Sequence, residues 1–82
     1  MNGRIEAVKE IIKKNINDAR CGIFCSRNIL GDFMEEIYNR DGVKVDICYE
    51  NSYFEVFGLS EKEYVEVAKY YFESLKSLRR RA

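Results

Sequence analysis

Val43-Lys44-Val45-Asp46-Ile47-Cys48-Tyr49-Glu50, residues 43–50, alternates apolar and polar side chains, the period of two that belongs to a strand with one face on a core. Asp41-Gly42 precedes it and supplies a hairpin turn. A three-residue loop, Arg40-Asp41-Gly42, with the glycine left-handed sets Ile37 opposite Val45 and Phe33 opposite Tyr49. A two-residue loop shifts Glu36 against Ile47 and buries a carboxylate, so the longer loop is the better reading, although it leaves Glu35 beside Ile47. Downstream, Asn51-Ser52 forms a second tight turn that pairs Tyr49 with Phe54, Ile47 with Val56 and Cys48 with Glu55. The result is a three-stranded antiparallel meander.

The flanks of the meander change to helical periods. Ile5, Val8, Ile12, Ile16 and Ala19 recur at spacings of three and four among Lys9, Glu10, Lys13 and Lys14, which predicts a helix over about residues 4–20 with Gly22 ending it. Residues 21–32 lack a sustained period and read as a connector with room for a short extended piece. Ser60-Glu61-Lys62-Glu63 is a capping box and Leu59 with Tyr64 a hydrophobic staple, so a second helix starts there. Its apolar stripe reads Val65, Ala68, Tyr71, Phe72, Leu75 and Leu78, and Arg79, Arg80 and Arg81 complement the dipole at its end. The expected fold is α+β in the order αβββα, a single domain over residues 1–82, with both helices on one face of the meander.

Composition narrows the function classes. The 82 residues support one core only. No stretch approaches the roughly 20 apolar residues of a membrane span. Met1-Asn2-Gly3-Arg4 lacks the apolar run of a secretion signal, which leads to the expectation of a cytoplasmic protein with its three cysteines reduced. Fourteen basic and fourteen acidic residues cancel, so the strong global attraction of a nucleic-acid binder is missing. The balance is uneven: residues 21–58 carry three positive and seven negative charges, while both ends are mildly basic. Histidine is absent, which excludes imidazole-based triads, dyads, metal sites and pH switches.

The remaining chemical motifs have simpler explanations. Cys21-x-x-x-Cys25 with Cys48 offers three thiolates but not the usual C-x-x-C spacing and no evident fourth zinc ligand. Arg27 follows Cys25 by two residues, and a nearby guanidinium is the kind of neighbour that activates a thiol, yet no base accompanies it. Gly58-Leu59-Ser60 before a helix resembles an anion loop, but the acids of the first turn repel phosphate. Glu35 and Glu36 point to opposite faces of a strand, with Asp32 nearby, and do not converge. No catalytic residue, metal ligand or cofactor is expected.

The candidate partner-binding set is the sheet face away from the helices: Met34, Tyr38, Cys48, Tyr53 and Phe57 among Glu36, Lys44, Asp46, Glu50 and Glu55. Aromatic and methionine side chains in a polar rim are the composition of a protein interface. A homodimer through the same face or a strand edge fits equally. The second reading is a nucleic-acid-binding or regulatory domain using Arg4, Lys9, Lys13, Arg20 and the Arg79–Arg81 tail.

Two resemblances add to this. The order αβββα is that of the double-stranded RNA-binding domain, but Ser60-Glu61-Lys62-Glu63 and Asn39-Arg40-Asp41-Gly42 stand where that family has lysines and a Gly-Pro-x-His loop. The runs Arg27-Asn28-Ile29-Leu30-Gly31-Asp32, Asp46-Ile47-Cys48-Tyr49 and Tyr53-Phe54-Glu55-Val56-Phe57-Gly58-Leu59 resemble a group of small proteins carried by phages and integrative elements of Firmicutes. Some mobile-element proteins of this general kind are anti-CRISPRs, which bind a Cas effector stoichiometrically. That resemblance implies a non-enzymatic accessory or inhibitory protein with an acidic surface and a protein partner.

Overall fold

The structure, a computed structural model, describes residues 3–20, 22–25 and 33–81, the side chains of residues 24, 25 and 79–81 excepted. Its elements run α1 (Gly3–Asn15), β1 (Gly22–Cys25), β2 (Glu35–Arg40), β3 (Val43–Cys48), β4 (Tyr53–Phe57) and α2 (Glu61–Arg81). The class is α+β, but the sheet has four strands in the order β1-β4-β3-β2 and is mixed. Strands β2, β3 and β4 form the antiparallel meander, and β1 adds in parallel on β4, with Gly22 beside Tyr53 and Cys25 beside Val56. The expected order αβββα is corrected by this strand. Four residues are too few to display a period, and a parallel pairing across 31 positions of chain leaves no turn signature beside it.

The first hairpin corrects the loop and keeps part of its consequence. Asp41 and Gly42 both have positive φ, 55° and 78°, as a two-residue type I′ turn demands. Arg40 pairs with Val43 and Tyr38, not Ile37, with Val45. A bulge between Glu36 and Tyr38 then takes up one residue, so Glu35 still arrives opposite Ile47. Strand β2 lies at the sheet edge, where Glu35 is exposed. The second turn is a four-residue loop, Tyr49–Ser52, that pairs Ile47 with Phe54 and Val45 with Val56. This slips the expected pairing by two residues, an even number, so the inward set is unchanged.

That inward face, Val43, Val45, Ile47, Phe54 and Val56, shares one core with Ile5, Val8 and Ile12 of α1 and with Val67, Tyr71 and Leu75 of α2. Both helices therefore cover the same side of the sheet. Helix α1 stops at Asn15, five residues before the expected end, and there Asn15 Nδ2 donates to the Ile11 carbonyl at 2.8 Å. Such side-chain bonds compete with helix propagation, and Asn17 and Asp18 follow at once. Ile16 and Ala19 are buried all the same, from the turn and the residue just beyond it.

Helix α2 starts at the expected capping box: Ser60 N donates to Glu63 Oε1 at 2.9 Å and Glu63 N to Ser60 Oγ at 3.2 Å. Its buried face differs from the expected stripe. Val67, Tyr71 and Leu75 are inside, with Tyr64, Ala68, Tyr70 and Leu78 partly so, while Val65 and Phe72 are exposed. Both stripes satisfy the helical period. Two phenols decide between them, since Tyr71 Oη donates to the Ala19 carbonyl at 2.8 Å and Tyr64 Oη to the Ile23 carbonyl at 2.9 Å. Among the described residues no helix is long and apolar enough to cross a membrane.

Candidate functional site

The sheet face away from the helices carries a lateral row of carboxylates, Glu36 on β2, Asp46 on β3 and Glu55 on β4, each opposite the next. Like charges in this position repel. Lys44 offsets the repulsion, with its Nζ 3.8 Å from Glu36 Oε2 and 3.5 Å from Asp46 Oδ2, and it also lies 5.5 Å from the Phe57 ring centroid.

Only the Glu36 end of this row is open to solvent. Cys48, Glu55, Tyr53 and Asp46 are 0, 2, 5 and 6% exposed within the single chain. Met34, Tyr38, Lys44 and Phe57 are half-buried, and Glu50 alone of the nine expected partner-binding residues is exposed. Of Met34, Tyr38, Lys44, Asp46, Cys48, Glu50, Tyr53, Glu55 and Phe57, with Glu36 beside them, expected to share one open face, Asp46, Cys48, Tyr53 and Glu55 are instead buried, and Tyr38, opposite Val45, lies on the core side. Strands buried on both faces usually read as continuous apolar runs. Asp46 and Glu55 interrupt that run and imitate the alternation of a half-solvated strand.

Exposed aromatic surface occurs instead at the end of the sheet. Phe33 is 78% exposed and Tyr49 46%. The pairing of Glu35 with Ile47 carries these two rings to the same end, two residues beyond the paired positions on neighbouring strands. The sequence placed both on the core side. Acidic groups accompany them: desolvation first, then the charges of Glu35 and Asp18, raise the Tyr49 phenol above its ordinary value. Glu50 is adjacent in the chain.

The raised phenol has a measurable sign. Its neutral form is favoured by folding, so the contribution is fully present below the free phenol's pKa of about 10 and is lost as pH rises through the folded value. Tyrosinate absorbance of the wild type minus that of Tyr49→Phe should give a midpoint above the ordinary phenol, and Glu35→Gln should lower it. Identical midpoints in wild type and Glu35→Gln would show that Tyr49 does not sense this carboxylate.

The basic residues of the second reading are largely occupied. Arg4 Nη2 donates to the Gly58 carbonyl, Lys9 Nζ lies 3.7 Å from Glu6, and Arg20 Nη2 donates to Asn17 Oδ1 at 3.2 Å. Lys13 is exposed, and the side chains of Arg79, Arg80 and Arg81 lie outside the described residues. Cys48 is buried, whereas Cys21, Arg27 and the side chain of Cys25, on which the thiol readings depend, are also outside them, as is the run Arg27–Asp32.

In comparisons with known proteins, no family model, curated protein or solved structure matches the chain.

Proposed function

We propose that the chain is a non-enzymatic protein-binding module that docks through the aromatic and acidic end of its sheet, in the accessory or inhibitory role implied by the resemblance to mobile-element proteins. A Cas effector or another host-defence protein is the partner class that this resemblance suggests. The observation that carries the docking surface is the 78% exposure of Phe33 beside the half-exposed Tyr49. Rigid rings bury much area for little lost conformational freedom. Asp18, Glu35 and Glu50 form the rim and favour a partner with basic groups, both in steering the encounter and in rejecting acidic surfaces.

The test compares two double variants at exposed positions, Phe33→Ser with Tyr49→Ser and Val65→Ser with Phe72→Ser, each checked for an unchanged melting temperature. The full chain, tagged, is used to recover partners from host cells, followed by binding measurements on the recovered protein. Affinity should fall at least about tenfold for the sheet-end variant and remain for the helix variant, the scale of losing buried aromatic anchors. Equal binding by both variants would remove this surface from consideration.

A further inference from the structure

Between the C-terminal halves of α1 and α2 lies a cleft of about 330 Å³, at the lower end of the range for small-molecule sites. Its origin is visible in the sequence. Ser74 stands seven residues after the fully buried Val67, on the same side of α2, so a small hydroxyl occupies a place where an apolar side chain would fill the space between the helices. Ser77 and Tyr70 lie at i+3 and i−4 from it and share that side.

The walls are rich in hydrogen-bond donors. Lys13 comes from α1 and Asn17 from the turn after it, facing Tyr70, Ser74 and Ser77 of α2, while Ile16 and Leu78 supply the apolar surface. No aspartate or glutamate is among the described residues lining it. Lys9, one turn before Lys13, sits 5.7 Å from the Tyr70 ring centroid, with its charge paired to Glu6 at 3.7 Å.

Folding leaves these donors available. Among the described residues, the ammonium of Lys13 and the hydroxyls of Tyr70, Ser74 and Ser77 have no hydrogen-bond or ion-pair partner, and Asn17 uses only its Oδ1, as acceptor from Arg20. The end of α1 points its carbonyls toward this region, which opposes an anion. One of them is already bonded, Asn15 O by Asp18 N at 3.0 Å, and Ile11 O one turn earlier accepts from Asn15 Nδ2 at 2.8 Å. That leaves one full cation and four neutral donor groups against a partly satisfied helix terminus.

We propose that this cleft binds a small organic anion, a carboxylate or phosphate monoester on an apolar body about the size of one ring. The anionic group accepts from Lys13, Asn17 and the serine hydroxyls, and the body rests on Ile16 and Leu78. This site is separate from the sheet-end surface, and its fate does not depend on the docking proposal.

Nuclear magnetic resonance titration of the full chain tests it, with phenyl phosphate, benzoate and neutral benzyl alcohol as probes. Phenyl phosphate or benzoate should shift the amides of Asn17, Ser74 and Ser77 saturably, with a midpoint on the order of 1 mM for so small a ligand. Lys13→Gln, at an exposed position, should weaken this about tenfold, the loss of a charge-assisted bond. Ser74→Val should fill the cleft and abolish the shifts while the rest of the spectrum stays folded. Which of the two anions binds more tightly identifies the head group. The proposal is overturned if neither anion saturates, if benzyl alcohol shifts the same amides equally, if Lys13→Gln leaves the midpoint unchanged, or if Ser74→Val still binds.

Discussion

Gly58→Ala is expected to destabilise the domain by about 3 kcal/mol or more, a large part of the stability available to a chain of this size. Two costs combine at this position. The backbone has φ +87°, where a side chain is strained, and a Cβ there would overlap the Gly42 carbonyl oxygen. The obstacle is backbone from the β2–β3 turn, so no rotamer change relieves it. The same residue's carbonyl accepts from Arg4, and the site therefore joins the start of α1, the first hairpin and the exit of β4. Gly42→Ala is the internal comparison. Its φ is similar, +78°, but nothing lies within 4 Å of the added carbon, and the expected cost is about 1 kcal/mol. Denaturant midpoints followed by circular dichroism measure both. Equal midpoints would mean that the corner opens freely and that the close approach contributes nothing.

The second large effect is expected at Tyr71. Its side chain is fully buried, its ring meets Phe54 edge to face at a centroid distance of 6.2 Å, and its hydroxyl donates to the Ala19 carbonyl. Tyr71→Ala removes the ring from the contact between α2 and the sheet and should cost about 3–5 kcal/mol. Tyr71→Phe keeps the ring but deprives a buried carbonyl of its donor, which should cost about 1–2 kcal/mol. In a domain of this size each kilocalorie corresponds to about 4–8 °C in melting temperature. A Tyr71→Phe protein as stable as the wild type would show that water or another donor reaches the Ala19 carbonyl, and the explanation given for the orientation of α2 would fail with it.

The candidate surface shows how reading by alternation can mislead. Asp46 and Glu55 are polar and sit at outward phases of their strands, which is the usual mark of solvated positions. The pleat phase was legible, since Val45, Ile47 and Val56 do turn toward the helices. What no period states is whether the other face is covered, and Cys48, Tyr53, Asp46 and Glu55 are all buried there. Phe33 and Tyr49 failed in the opposite direction: large rings at core phases ended exposed, because the β3–β4 loop begins at Tyr49 and the chain leaves the sheet before the ring meets the core.

Local chemistry was sufficient wherever neighbours in sequence are neighbours in space. The capping box at Ser60, the two left-handed residues Asp41 and Gly42, and the alternation from Val43 to Cys48 are each decided within a few residues, by hydrogen bonds or backbone sterics that any fold must respect. Pairing of β1 with β4, the bulge in β2, the rotation that buries Val67 rather than Val65, and the covering of the second sheet face were decided only in the assembled molecule. In each of these cases two arrangements have nearly the same local energy, and contacts between segments far apart in the chain, such as Tyr71 with Ala19 and Tyr64 with Ile23, select one.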